Sequence, residues 1–163
     1  MSEIIKRYKK LAFFGVPTMG ENGEVSVVFH RMKGFDSIST SKNPREYSRQ
    51  YVDEEFEQTD VVGYTPSIAF GFDRFSGDCV HNDIIDIFNK ELVGADAVRT
   101  IVMVDMASDE KTAIKRDFAV IAENEGDGLD AYKYSGALRV KGEKSFGTAT
   151  SDDNWQTCSF VEE

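Results

Sequence analysis

NPREYSRQYVDEEFEQTDVVGYTPSIAFGFDR, the stretch from Asn43 to Arg74, decides the fold of this chain because two unlike segments meet in it. From Tyr64 onward, apolar residues alternate with small or polar ones. Ile68, Phe70 and Phe72 fall on one side of this pattern, which predicts a half-buried β-strand. The opposite side carries the small or polar residues Ser67, Ala69, Gly71 and Asp73.

The first part of the stretch, residues 44–60, is strongly charged and yet contains three aromatic residues. It is too polar on both faces for a core strand and too aromatic for a plain linker. We predict a long β-hairpin or extended arm with limbs at 46–52 and 56–62. Its aromatic residues pack either on their own domain or on another molecule. The second alternative is supported by the enrichment of tyrosine and arginine at interface centres. The candidate contact residues are Arg45, Tyr47, Arg49, Tyr51, Glu54 and Phe56.

Composition predicts one folded domain spanning residues 1–163. The formal net charge of -10 repels phosphates, which argues against tight binding of DNA or RNA. No apolar run reaches the roughly 18 residues of a membrane span, and the run Leu11–Val16 is too short for a secretion signal. We therefore expect synthesis in the cytoplasm and no membrane partner. Cys79 and Cys158 lie outside any CxxC motif, and we predict that both are reduced and at least partly buried.

The residues that could carry chemistry do not form a recognised site. His30 and His81 lie outside any nucleophile pattern, so we predict structural or solvated roles for them. The acidic residues 53–60 lack the spacing of a calcium loop, and the run ENEGDGLD, residues 123–130, is interpreted as an exposed turn. No catalytic residue, cofactor or metal site is predicted.

Glycine, proline and asparagine predict a loop over residues 15–23. Residues 25–35 alternate as a strand does, and residues 37–43 are predicted to be a polar connection into the arm.

One amphipathic helix is predicted over Asp83–Val93, with Asn82 as its N-cap and Gly94 at the C′ position. A helix of this length needs a sheet beneath it. Its packing face is predicted to be Ile84, Ile85, Phe88 and Leu92.

The rest of the chain alternates as strands do. Residues 131–146 alternate over a length that requires a bend near Gly136 or Gly142. With further strands at 97–106, 114–123 and 155–161, about seven strands and one helix are predicted. The fold class is mainly β, of sandwich or barrel type, with one short helix and a long arm.

Four quoted segments together resemble the tail tube proteins of tailed bacteriophages, particularly phages of Gram-positive hosts. The segments are REYSRQYVDEEFEQTDVVGYTPSIAFGFD, HNDIIDIFNKELVG, IVMVDM and KRDFAVIAENEGDG. The sequence is also similar to the inner-tube subunits of phage-derived contractile bacteriocins. The resemblance spans residue 25 to the C-terminus and is most specific over Tyr47–Asp73. Residues 1–24 match nothing in the family, and their role stays unassigned.

The resemblance implies a subunit that forms hexameric rings stacked into a hollow tube, within the tail of a virion. It implies that residues 42–62 form an inter-subunit arm that reaches the adjacent ring. It implies that the face of Ser67, Ala69, Gly71 and Asp73 lines the lumen, through which DNA passes. The implied partners are other copies of the chain, a tape-measure protein, a tail terminator, tail tip or baseplate proteins and, in a contractile tail, a sheath.

Two other classes of function are compatible with the sequence. A monomeric β-barrel module that binds a small ligand would need a concave aromatic pocket. An acidic hydrolase would need two carboxylates in one cleft with opposed environments, and no spacing identifies such a pair.

Overall fold

The computed structural model describes residues 2–126 and 128–163. Over these residues the chain forms eleven strands and one α-helix, α1 (Cys79–Lys90). The strands are β1 (Lys10–Met19), β2 (Val25–Arg31), β3 (Phe35–Ser41), β4 (Pro44–Arg49), β5 (Gln58–Tyr64), β6 (Ser67–Asp73), β7 (Val98–Asp105), β8 (Thr112–Glu125), β9 (Lys133–Val140), β10 (Ser145–Thr150) and β11 (Thr157–Glu162). The mainly β fold class predicted from the sequence is confirmed.

Nine strands form one antiparallel sheet in the order β10-β11-β2-β1-β7-β8-β9-β6-β3, and β4 and β5 form a separate hairpin. Strand β10 also pairs with the first residues of β8. This extra pairing closes β8, β7, β1, β2, β11 and β10 into a ring. The long strand β8 therefore belongs both to the ring and to the open part of the sheet, because its later residues pair with β9 instead.

Over the described residues, two apolar cores lie on opposite faces of β1 and β7. The larger core lies between the sheet and α1 and contains Phe14, Phe72 and Ile84. The smaller core fills the closed ring and contains Phe13, Val102 and Cys158. Phe13 and Phe14 are neighbours in β1 and point to opposite faces, so a single strand anchors both cores.

Helix α1 begins and ends earlier than predicted. Its N-cap is Asp78, whose carboxylate accepts from the backbone N–H groups of Val80 and His81 at 3.0 and 3.2 Å. The helix ends where Glu91 adopts a left-handed conformation with φ of 50°. Asn82 is therefore not the N-cap, because Asp78 already satisfies the first donors, and Gly94 is not at the C′ position, because the helix already ends at Glu91.

The predicted packing face of α1 is only part of the buried surface. Ile84, Ile85 and Phe88 are buried, whereas Leu92 lies beyond the helix and is half-buried against the core. The earlier start of the helix adds Val80 and His81 to the buried residues.

The buried side chain of His81 is structural. Its Nδ1 accepts from the backbone N–H of Phe75 at 3.1 Å, which leaves the proton on Nε2 to be donated to the carbonyl of Lys33 at 2.6 Å. The imidazole also stacks on Phe72 at 4.4 Å. Both ring nitrogens are thus satisfied within the core, in agreement with the structural role predicted from the sequence.

The prediction of a loop at residues 15–23 is wrong over its first half, because β1 includes Gly15 and Pro17 and lies in the middle of the sheet. A Cβ atom on Gly15 would lie 2.8 Å from Cγ1 of Val27, so glycine serves close packing here. Pro17 is tolerated because β1 pairs with β7 only as far as Phe14.

Two further predictions about strands are corrected. Residues 37–43 were predicted to be a connection, but β3 occupies most of them and pairs with β6. Its serines alternate with Ile38 and Thr40, and this weak apolar signal hid the strand. The strand predicted at 131–146 is two strands, β9 and β10, separated at residues 141–144.

The two cysteines differ in accessibility. Both thiols are free, but Cys79 is exposed on the first turn of α1, which contradicts its predicted burial, and Cys158 is buried. Burial raises the pKa of the Cys158 thiol to about 12. We expect iodoacetamide to modify one thiol of the native protein and two after unfolding in urea, as counted by intact mass. Modification of both thiols in the native state would contradict this assignment.

The turn between β10 and β11 is held by the carboxylate of Asp153, which accepts from Thr157 Oγ1 at 2.6 Å, Thr157 N at 3.0 Å and Ser151 Oγ at 2.8 Å. These bonds lower the pKa of Asp153 from 3.8 to about 2. The folded state therefore gains stability from this group above pH 3.8 and loses it as the pH falls through about 2. We expect Asp153→Asn to reduce the difference in unfolding free energy between pH 5 and pH 2.5, measured with urea. An unchanged difference would show that the turn does not depend on this charge.

Candidate assembly surfaces

The arm is a two-stranded hairpin with its own cross-strand contacts. Strands β4 and β5 pair antiparallel from Pro44 and Tyr64 at the base to Arg49 and Gln58 near the tip. Arg49 Nη1 lies 2.5 Å from Asp60 Oδ2, and its guanidinium lies 5.2 Å from the ring centre of Tyr47. Opposite charges on the two limbs therefore hold the hairpin together.

The tip of the arm, residues 50–57, is longer than a tight turn and is closed by side chains. The amide of Gln50 donates to the carbonyls of Glu54 and Glu55, each at 3.1 Å. The amide of Gln58 donates to the carboxylate of Glu54. These bonds replace the missing Asn-Gly or Asp-Gly turn and keep the neighbouring aromatic residues at a fixed place in the hairpin.

The aromatic residues of the arm do not pack on their own domain. Tyr47, Tyr51 and Phe56 are 55%, 52% and 75% exposed. These exposures favour the second of the two alternatives left open by the sequence, contact with another molecule. Apolar surface of this extent on a projecting hairpin is typical of an interaction site. The further exposed apolar side chains of the arm are Val52, Val61, Val62 and Tyr64.

The base of the arm is fixed to strand β6. Asn43, at φ of 47°, donates from Nδ2 to the carbonyl of Thr65 at 3.0 Å and to Ser67 Oγ at 3.1 Å. One asparagine side chain thus joins the start of β4, the end of β5 and the start of β6. The direction in which the hairpin projects is set by these contacts.

The four neighbouring strands β8, β9, β6 and β3 are called the wall. The second surface is the face of the wall opposite α1, which we call the wall face. In antiparallel pairs, residues directly opposite each other share a face. Ala69 of β6 lies between Ser39 of β3 and Ala137 of β9, and Gly71 lies between Ser37 and Ser135. The four residues predicted from one strand are therefore part of a broad surface of small side chains.

One ion cluster lies at the end of the wall. Lys133 Nζ is 2.7 Å from Asp36 Oδ2 and 2.7 Å from Asp73 Oδ1. Asp36 and Asp73 raise the pKa of Lys133, mainly through their hydrogen bonds. Asp73, predicted as part of the small-polar face, thus forms an ion pair with Lys133 of the neighbouring strand β9.

The wall has two open edges. In residues 2–126 and 128–163, β3 pairs only with β6, and residues 120–125 of β8 pair only with β9. Arg7 covers one carbonyl of the first edge, because its Nη2 donates to Ile38 O at 3.2 Å. Unpaired edges invite pairing with another chain, so both edges are candidate contact surfaces.

Reasoning from the sequence missed the open edges and most of the wall face. The alternation of serines in β3 was the available signal, but it was interpreted as a polar connection. The edges themselves carry no sequence signal, because they depend on which strands find partners.

The part of the chain that the structure describes contains no helix long and apolar enough to span a membrane. Within that same part, no group of three or more His, Cys, Asp or Glu side chains is arranged to hold a metal ion.

Solved structures with a similar fold come from gene transfer agent particles. A chain in the tail of an empty gene transfer agent particle, refined with helical and C6 symmetry, is 14% identical, with a TM-score of 0.58 over 88% of this chain and 98% of that chain. A chain in the virion of a native gene transfer agent particle is 13% identical, with a TM-score of 0.57 and the same coverage. No protein-family model matches the sequence, and neither does any curated protein. The fold expected from the resemblance is thus confirmed, because the chain shares the fold of these gene transfer agent chains.

Proposed function

We propose that this chain is a structural subunit of a tail tube, in which copies join into hexameric rings that stack into a hollow conduit for DNA delivery. The observation that carries the proposal is the four-stranded wall. It is open at both lateral edges and packed by α1 on one face, and over β3, β6 and β9 its other face carries mostly small side chains. The chain then acts through self-assembly and needs no catalytic turnover.

The direction of the strands suits a closed ring. Neighbouring strands of the wall are antiparallel, so β3 runs opposite to β8 across the four strands. When rotation about an axis brings β3 of one copy beside β8 of the next, the two strands meet antiparallel. The open edges are also similar in length, with seven residues in β3 and six in the open part of β8. Such head-to-tail contacts generate rings when the rotation closes.

The ring order of six rests on two supports. The resemblance to tail tube proteins implies hexamers, and the similar tail of the gene transfer agent particle has C6 symmetry. Closing the ring would pair every open edge of the wall, which removes the hazard of exposed edges without a separate cap.

The wall face suits a lumen because its central rows consist of serine, alanine and glycine on β3, β6 and β9, and β8 adds Ile121 and Asn124. Small side chains leave the passage wide and offer few groups that bind DNA. The net charge of -10 adds repulsion of phosphates, which favours sliding over binding.

The arm suits contact between rings. It projects from the start of the wall strand β6 and presents aromatic and charged side chains that its own domain does not cover. We propose that Arg45, Tyr47 and Arg49 on one limb, with Tyr51, Glu54 and Phe56 around the tip, dock on a subunit of the adjacent ring.

The further partners follow from the same role. A tube subunit in a virion tail meets a tape-measure protein, a tail terminator, tail tip or baseplate proteins and, in a contractile tail, a sheath. The inner tube of a phage-tail-like bacteriocin would use the same surfaces without carrying DNA.

Electron microscopy of the purified chain at high concentration tests the proposal. We expect stacked rings or tubes with sixfold symmetry, formed spontaneously or after nucleation by a tail tip complex. A chain that stays monomeric under both conditions, as measured by light scattering, would exclude the role of tube subunit.

A proline in the open edge tests whether β3 closes the ring. The carbonyl of Ile38 points away from β6, so the N–H of Thr40, two residues on, points the same way. Thr40→Pro removes an outward donor and keeps the pairing with β6, and we expect folded monomers that need at least about tenfold more protein to assemble. Ser39→Pro is the contrasting variant, because it removes a donor to β6 and should lower the melting temperature. Normal assembly of Thr40→Pro would exclude β3 pairing as the lateral contact.

A further inference from the structure

The segment before β1 carries exposed apolar side chains beside a dense group of cations. Residues 2–6 form no helix or strand, and Ile4, Ile5 and Tyr8 are 92%, 61% and 66% exposed. Exposed apolar groups of this size are typical of an interaction site. The cations that follow are Lys6, Arg7, Lys9 and Lys10.

A groove of about 640 Å³ lies between the end of α1 and the open edge of β8. Its floor is apolar and includes Phe88, Leu92 and Val120. Its charged lining has three carboxylates, Glu91 at the end of α1 and Glu123 and Glu125 on β8, against one cation, Lys141. The groove therefore matches the segment in both respects, with an apolar floor for its isoleucines and carboxylates for its cations.

The segment starts from the opposite edge of the wall. Arg7 donates from Nη1 to its own chain at Lys10 O, 2.7 Å away, and from Nη2 to Ile38 O of β3. When β3 of one copy lies beside β8 of the next, the segment lies next to the groove of that neighbour. The five residues Ser2–Lys6 extend over roughly 17 Å, enough to follow the open edge of β8.

We propose that Ser2–Tyr8 of each copy docks in the groove between α1 and β8 of the neighbouring copy in the same ring. Ile4 and Ile5 pack on the apolar floor, and Lys6 faces the carboxylates of the groove. This inference rests on the proposed ring, and it assigns a lateral contact to a segment that the family resemblance leaves unassigned. The segment thereby covers an apolar surface that the β-strand pairing alone leaves open.

Disulfide trapping tests the docking. In a Cys79→Ser background, the full chain with Ile5→Cys and Val93→Cys places one thiol in the segment and one at the exposed rim of the groove. We expect oxidised assemblies to give a covalent ladder of up to six chains on a denaturing gel. Chains with only one of the two substitutions should give no ladder.

The outcomes separate the docking from the ring itself. Rings that form without a ladder, or with only a crosslink inside one chain, would overturn the docking and keep the proposed function. Absence of rings from the unsubstituted chain would overturn the proposed function, and the docking with it.

Substitution of the apolar groups gives a second measurement. Ile4→Ser with Ile5→Ser should leave the melting temperature unchanged, because both side chains are exposed in the monomer. We expect at least about a tenfold increase in the concentration needed for assembly, because the double variant loses the apolar surface that docking would bury. Val161→Ser, on the outer face of the closed ring of strands, is the matched control. An unchanged assembly concentration in the double variant would contradict the docking.

Discussion

Replacing Tyr51 and Phe56 together by serine is expected to leave the monomer folded and to block the formation of tubes. Both side chains are more than half exposed, and substitutions at such positions change stability by only about 0.5 kcal/mol. Aromatic residues at the centre of an interface each contribute about 2 kcal/mol or more, which corresponds to a factor of about 30. We therefore expect the concentration needed for stacking to rise by roughly three orders of magnitude if both side chains dock.

The measurement combines thermal unfolding of the monomer with electron microscopy of concentrated samples. Because the proposed arm serves contacts between rings, single rings should persist in the double variant while tubes disappear. Phe146→Ser removes a side chain of similar exposure on β10 and should still form tubes. A lower melting temperature in the double variant would show that the arm belongs to its own core, and normal tubes would exclude the arm from stacking.

Phe72→Ala is expected to destabilise the monomer by about 3–5 kcal/mol, because a buried phenylalanine is removed and a cavity is left. Phe72 is 1% exposed. The centre of its ring lies 4.9 Å from the ring centre of Phe35, 4.4 Å from that of His81 and 5.3 Å from that of Tyr134. It therefore joins β3, β6, β9 and α1, so the loss extends across the larger core. Domains of this size are typically stable by only about 5–15 kcal/mol, and the variant loses a large share of that.

Urea unfolding measures this loss, with Ala69→Ser as the control on the same strand. Ala69 points to the exposed face of β6, so its replacement by serine should change the unfolding free energy by about 0.5 kcal/mol or less. Equal effects of the two variants would contradict the assignment of the two faces of β6.

Strand β6, the arm and the helix could be predicted from the sequence. The alternation around Phe72 and Ala69 predicted β6 and its two faces correctly, because the side-chain period of a strand is local. The arm was predicted for the same reason, since its charge and aromatic content are unusual over one short stretch. The helix was predicted but misplaced, because its cap at Asp78 competes with a second good candidate at Asn82.

The strands β1 and β3 show the limit of local signals. Glycine and proline in β1 normally indicate a loop, yet Gly15 is required by the close approach of Val27, a contact between strands. In β3 the serines belong to the wall face, and their polarity makes sense only once β6 lies beside them.

The sequence by itself determined that the chain is a mainly β protein with one helix, a two-faced strand at 67–73 and an unusual charged arm before it. It did so because periodicity and composition act over a few residues. Only the tertiary structure decided that the arm is uncovered, that β3, β6 and β9 share a face of mostly small residues, and that the wall has open edges at β3 and β8. Those features depend on which distant strands pair, because a strand edge is open or closed through hydrogen bonds to residues far away in the chain.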